Sequence, residues 1–191
     1  LPPPLWFLVG AAPVLYLSRR WTDVASLILC VGLAALSAQG AVFSPYNRID
    51  LLPEQGSIRL SVNRDFHQYM HDLSEQNLAH PAHDDGLRNR LHNYRAAYDL
   101  PFIINDKRQR ALVVGAGTGN DVQAALRATY STVVSVDIDP DIIRLGQRLH
   151  PEQPYDDDRT VPIINDARAF FEQYQGAPFD AVVFGLLDSH A

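Results

Sequence analysis

Cysteine is all but absent from this 191-residue chain. The single Cys30 excludes an intramolecular disulfide and, set in an apolar run, reads as a small hydrophobe. Positive charge is in deficit: 16 Lys and Arg stand against 22 Asp and Glu, so no polybasic nucleic-acid surface is implied. Charge of either sign is missing from Val24 to Phe43, a run long enough to cross a hydrocarbon core of roughly 30 Å. Leu5 to Leu17 is a shorter apolar run, and Arg19, Arg20 and Asp23 separate the two as a tight loop would. We therefore expect two membrane helices within residues 1–43. A cleaved signal peptide fits worse, because the small-residue stretch Ala34–Ala41 follows too long an apolar run; a buried soluble hairpin is the other rival. An initiating methionine is missing too, and Ala191 follows an apolar strand, so a fragment of a longer chain is expected.

Also missing is the third glycine of a dinucleotide-binding G-x-G-x-x-G loop. What stands there is Gly115-Ala116-Gly117-Thr118-Gly119-Asn120-Asp121, after the apolar strand Ala111–Val114 and before an amphipathic helix. Glycines without a Cβ let backbone N–H groups approach a ligand closely. Asp121, in the first turn of the helix, suits the helix dipole but would repel a pyrophosphate. A second strand ends in Asp137, where a carboxylate can accept from a ribose diol. The set points to an adenosyl cofactor without phosphates, S-adenosylmethionine or its decarboxylated form, and away from a nicotinamide dehydrogenase.

The rest of the chain supplies the context. Tyr46–Leu51 and Ser57–Val62 alternate in strand fashion around Pro53-Glu54-Gln55-Gly56, predicting a β-hairpin unit over 44–71, with Phe66–Tyr69 adding a short strand. Residues 72–106 read as a loop and a linking helix over Gly86–Tyr98. The loop contains His80, His83, Asp84 and Asp85, which we read as solvated and not as a metal site, since no further ligands stand at a matching spacing. From 107 on, strands and helices alternate: a helix over Asn120–Thr129, a strand over Thr132–Ile138, and a helix begun by Asp139-Pro140. A strand over Thr160–Ile164, a helix over Ala167–Tyr174 and a strand over Phe179–Phe184 follow. This predicts an α/β, Rossmann-like fold of the S-adenosylmethionine-dependent methyltransferase type, truncated after its fourth strand, with ligands at the carboxyl ends of the strands. Asp137, Asp166 and Asp188 all fall at such ends. Asp166 is read as an acceptor for an adenine amino group or as a helix cap. The fourth strand would be a raw edge, so residues 45–191 alone are expected to be poorly stable.

Together these residues resemble the polyamine aminopropyltransferases (spermidine synthases), and within them a bacterial membrane-anchored branch. The resemblance runs from about Ser44 to Ala191. It rests on Ser44–Ile49, Phe66-His67-Gln68, Gly115–Asp121, Val136–Pro140, His150–Tyr155, Asn165–Arg168 and Gly185–His190. It implies that Asn47 and Gln68 touch the nucleoside, Asp137 the ribose and Asp166 the adenine, with Ile138 and Ala167 beside them. Three positions depart from the family pattern. Thr118 stands where the glycine loop has an Asp for the aminopropyl ammonium, and Gly185 where an Asp follows strand four. Asn93-Tyr94-Arg95 keeps only the tyrosine of a Tyr-Gln-Glu group.

The expectation is thus a transferase using a sulfonium donor and a small-molecule, polyamine-like amine acceptor, with no metal and no nucleic acid. If the aminopropyl group moves, Asp188 is the remaining base and Asp121 replaces residue 118 at the ammonium. If a methyl group moves, the loss at 118 is no defect. A membrane-anchored module that keeps the nucleoside pocket without turnover, and a transporter-like fusion, are the other readings. Because adenosyl sulfonium compounds are cytosolic, the domain is expected to face the cytoplasm from the inner membrane, and a homodimer is the assembly considered.

Overall fold

The computed structural model describes residues 3–17, 20–54 and 56–185. Two apolar helices, α1 (Pro3–Leu17) and α2 (Trp21–Ala38), pack against each other as a hairpin. Tertiary packing buries no residue of α2, and Leu29, Leu33 and Leu36 lie open on its surface. Helix α2 also ends earlier than the charge-free run suggested. Ala41–Phe43 is strand β1, hydrogen-bonded to β2 (Arg48–Glu54), so the last apolar residues belong to a sheet.

That sheet has four antiparallel strands in the order β1-β2-β3-β4, with β3 over Ser57–Val62 and β4 over Asp65–His71. The hairpin is tighter than predicted. Pro53 and Glu54 remain in β2, with Glu54 opposite Ser57 and Gly56 at φ +82° in the connection. Proline is tolerated there because β1 pairs only with Arg48–Asp50, leaving the outer side of Pro53 without a strand that needs its N–H. Asn63 and Arg64, at φ +52° and +76°, form the mirror-image turn that suits the strand twist and joins β3 to a β4 longer than expected. Ile49, Leu60 and Met70 form the buried face, packed on Ile142 and Leu145 of α6 (Pro140–Leu149). The antiparallel unit is therefore docked on the α/β domain through one of that domain's own helices.

Helix α3 (Glu75–Leu78) precedes α4 (Asp85–Ile103), which is capped by the Asp84 carboxylate on Leu87 N–H at 2.6 Å. Helix α4 runs past Tyr98 and through Pro101, because the fully buried Phe102 anchors its last turn in the core. The acids of the expected loop serve this helix: Asp84 caps it and Asp85 pairs with Arg88 at 2.8 Å. No group of three His, Cys, Asp or Glu arranged for a metal occurs among the described residues.

The parallel sheet has the order β7-β6-β5-β8, built from β5 (Arg110–Val114), β6 (Thr132–Asp137), β7 (Thr160–Ile164) and β8 (Ala181–Phe184). Alternation along β5 splits the core. Ala111 and Val113 face α5 (Asn120–Arg127) with Val122, Ala125 and Leu126, while Leu112 and Val114 face Phe170 of α7 (Ala167–Gln173). Among the described residues β8 pairs only with β5, and Val182 and Phe184 on it are exposed, as the reading of the fourth strand as an edge anticipated. The expected fold class is observed: a Rossmann-like parallel sheet preceded by a β-hairpin sheet.

Candidate active site

The glycine loop links β5 to α5 at the carboxyl end of the parallel sheet. Gly115 and Ala116 both donate to Val136 O, which folds the loop over the end of β6. Gly117 sits at φ +56° under Gln68, and a Cβ there would lie 2.7 Å from the Gln68 Oε1. The buried Tyr155 hydroxyl donates to Gly117 O at 2.7 Å from below. The first turns of the loop are thus held from two sides by residues more than 35 positions distant in sequence.

A cavity of about 610 Å³ opens above this loop. Asn47, Gln68, Gly115, Gly117, Asp121, Asp137, Ile138, Asp166 and Ala167 all line it, so the structure gathers most of the residues picked out by the sequence. Thr118 and Gly119 are not among its lining. Thr118 is fully buried, and its hydroxyl and N–H turn toward Gln68 Oε1 at 3.2 and 3.5 Å. Gly119, at φ +109°, packs against Pro154, where a Cβ would stand 2.6 Å from Cγ. Asp188 and the Leu186–His190 part of its motif lie outside the described residues, as does Arg19.

The acids of the cavity are held differently. Asp137 receives Gly117 N–H at 2.8 Å and Asp139 N–H at 2.9 Å; burial still pushes its carboxyl upward against those two bonds. Asp139 caps α6 through Asp141 N–H and takes the Ser44 hydroxyl at 2.6 Å, tying the segment that leads into the antiparallel sheet's second strand to the cavity. Asp166 caps α7 through Ala169 N–H at 3.1 Å and lines the cavity as well, so the two readings of it are compatible. Asp121 alone of the four makes no hydrogen bond or ion pair among the described residues. Burial raises its carboxyl to about 6. Neither Lys nor Arg lines the cavity among the described residues.

Sequence reading missed the hub of the site, Asn120. Its Oδ1 accepts from His71 N–H and from His150 Nε2, both at 3.1 Å, and its Nδ2 donates to Tyr69 O and to the Tyr98 hydroxyl. All four capacities of the amide are used. His150 also accepts Glu152 N–H at Nδ1, which places its proton on Nε2 and leaves no room for a second. Burial accordingly lowers both His71 and His150 to about 4. The only sequence hint was an amide immediately before Asp121. Tyr94, stacked on His71 at 4.6 Å, and Tyr98 form an aromatic wall on the α4 side.

Gly185 closes the other side. It donates to Val114 O at 2.8 Å, and a Cβ on it would collide with the Gly115 carbonyl oxygen. The departure from the family pattern at 185 is therefore built into the backbone, which leaves no space for an aspartate.

Gln68 lines the cavity, and its buried Nε2, packed over Gly117, has no hydrogen-bond partner among the described residues. With Asp137 and Asp166 at two strand ends and the glycine loop between, the residues suit an adenosyl group, and the acidic lining suits a cationic substituent on it.

No family model matches the chain. Over 86 residues it is 31% identical to polyamine aminopropyltransferase 2 of Caldanaerobacter subterraneus, covering 44% of this chain and 29% of that one. It is 30% identical over 86 residues to polyamine aminopropyltransferase of Pyrobaculum islandicum, covering 42% and 30%. In fold it is similar to spermidine synthase from Thermotoga maritima, with TM-score 0.53 and 14% identity over 75% of this chain and 47% of that one. A probable spermidine synthase from Corynebacterium glutamicum gives TM-score 0.56 and 18% identity over 78% and 52%. A spermidine synthase in complex with the transition-state analogue AdoDATO gives TM-score 0.53 and 14% identity over 75% and 45%. The chain spans less than a third of the curated relatives and about half of the structural neighbours. It is thus a relative in sequence of the polyamine aminopropyltransferases, which are transferases, and shares its fold with the spermidine synthases.

Proposed function

We propose that this chain binds decarboxylated S-adenosylmethionine and belongs to an enzyme that transfers its aminopropyl group to a small amine acceptor. The observation that carries the reading is the cavity lining: Asp121, Asp137, Asp139 and Asp166 converge without a Lys or Arg among the described residues. A carboxylate on the donor would meet a repulsion of roughly 3 kcal/mol from each acid about 6 Å away at an effective dielectric of about 20. The decarboxylated donor carries only positive charge. Displacement at a carbon next to a sulfonium is a single step, so the protein's task is alignment of donor and amine. The amine must lose a proton before it attacks, and we assign that role to Asp188.

One observation favours a second reading. No carboxylate enters the cavity from position 118 or fits at position 185, which suits transfer of a methyl group from S-adenosylmethionine. Calorimetry on the full-length protein in detergent separates the two, using S-adenosylmethionine, its decarboxylated form and methylthioadenosine. Tighter binding of the decarboxylated form supports aminopropyl transfer, and Asp188→Asn then abolishes turnover. Tighter binding of S-adenosylmethionine replaces that reading with methyl transfer, and binding of none removes both.

We further propose that α1 and α2 anchor the protein in the inner membrane with the α/β domain in the cytoplasm. Helix α2 is 18 residues long, apolar and free of burial, which supports this reading. Release of the protein from membranes by high salt, without detergent, would contradict it.

A further inference from the structure

We propose that Asp121 holds the terminal ammonium of the donor, from α5 instead of from the glycine-loop position occupied here by Thr118, and thereby selects a donor without a carboxylate. The proposal deepens the reading of the cavity as an adenosyl sulfonium site and rests on it.

Three observations carry it. First, the other three acids of the cavity are engaged: Asp137 by two backbone N–H groups, Asp139 by Asp141 N–H and the Ser44 hydroxyl, Asp166 by Ala169 N–H. Asp121 has no such donor among the described residues. A half-buried carboxylate left without one is costly, and burial accordingly holds its carboxyl near 6. An ammonium delivered by a ligand removes that cost, and charge-assisted hydrogen bonds are the stronger kind.

Second, the position suits the far end of the donor. Asp137 and Asp166 mark the nucleoside end at the tips of β6 and β7, while Asp121 follows the glycine loop in the first turn of α5. Tyr98 of α4 is its neighbour there, and Tyr94 lines the same wall; aromatic faces attract cations.

Third, residue 118 is committed elsewhere. Its hydroxyl and N–H both address Gln68 Oε1, so this side chain binds β4 to the loop and leaves the cavity to Asp121.

The test is calorimetric binding of decarboxylated S-adenosylmethionine, S-adenosylmethionine and methylthioadenosine to the full-length protein in detergent, for the natural sequence and Asp121→Asn. Methylthioadenosine lacks the ammonium and reports the nucleoside site and the fold alone. The variant is expected to lose ten- to a hundred-fold in affinity for the decarboxylated donor while methylthioadenosine stays within about twofold. Asp121→Glu, which keeps the charge, is expected to recover part of the loss. Equal losses for all three ligands would assign Asp121 to shaping the loop and overturn the proposal, as would no loss for any. If the natural protein binds none of the three, the adenosyl reading falls and this proposal with it. If it binds all three and the variant is indifferent, this proposal alone falls.

Discussion

On the proposed function the cavity has a nucleoside end, at Asp137, Asp139 and Asp166, and an amine end, at Asp121, and the two are built on opposite terms. At the nucleoside end each acid accepts at least one N–H close in sequence, Asp137 from Asp139, Asp139 from Asp141 and Asp166 from Ala169, to which packing adds Gly117 N–H on Asp137 and the Ser44 hydroxyl on Asp139. Such turns and caps form wherever those residues stand at those spacings. At the amine end Asp121 is unpartnered among the described residues, and its surroundings come from α4, the glycine loop and the edge of β8, elements brought together only by packing. The first end is preorganised and indifferent to ligand charge. The second is left electrostatically unfinished, which is where a cation gains most by binding.

Breaking the packing that defines the amine end should have the largest effect. His71 and His150, buried and neutral with carboxyl-like affinities near 4, titrate near 6.5 once unfolded. The unfolded chain therefore binds more protons between those values. The contribution of the two histidines is at full strength above about pH 6.5 and is lost as pH falls toward 4, on the order of 4 kcal/mol for the two together, while the raised carboxyls of Asp121, Asp137 and Glu152 titrate in the opposite sense. Thermal melts of the detergent-solubilised natural protein and of His71→Gln across pH 4–8 isolate the histidine part: the natural protein should lose more stability toward pH 4 than the variant, and equal slopes would refute it.

Asn120→Ala comes next. It strands His71 N–H, the His150 ring and Tyr69 O in a dry interior, at a cost of about 3 kcal/mol, and loosens β4 from α5. Methylthioadenosine binding should weaken along with the melting temperature, because Gln68 rides on β4.

Gly185→Asp sharpens the comparison from the other side. It restores the residue type of the family, yet its Cβ meets the Gly115 carbonyl. Destabilisation by about 2 kcal/mol, with no gain in transfer rate, is expected from melts and turnover assays. A gain in turnover would show that the loop yields.

Asp121→Asn gives a smaller and opposite change. Its carboxyl is raised to about 6 from an ordinary 3.8, so the folded state binds the proton more tightly and loses stability as pH rises between those values. The variant should melt higher than the natural protein at pH 7–8, by about 1 kcal/mol after allowance for its partial exposure, and no higher at pH 4. Asp166→Ala, which removes one cap of a seven-residue helix, should cost about 1 kcal/mol and weaken adenosyl binding without altering the preference between donors.

Much of the nucleoside end was legible beforehand. The Ala111–Val114 run, the spaced glycines, Asp137 and the Asp139-Pro140 start are signals contained within a few residues, and the structure places them as expected. The errors share one cause. The apolar run past Ala38 was extended into the membrane helix because nothing local shows that Ala41–Phe43 has β2 to pair with. The apolar periodicity ends the predicted helix at Tyr98, yet the burial of Phe102 carries α4 on to Ile103. The turn at Asn63 and Arg64 has no glycine to announce it; the pairing of β3 with β4 imposes its positive φ values.

Composition, periodicity and caps determined the order of elements, the Rossmann-like sheet and the acids at its strand ends, since each depends on neighbours a few residues away. Only the tertiary structure decided that Thr118 turns to Gln68, that Asn120 joins β4, α4 and α5 with His150, and that Gly185 excludes a side chain. It alone left Asp121 free. Hydrogen-bond partners 30 to 50 positions apart are chosen by how sheets and helices pack, and no local pattern encodes which carboxylate will end without one.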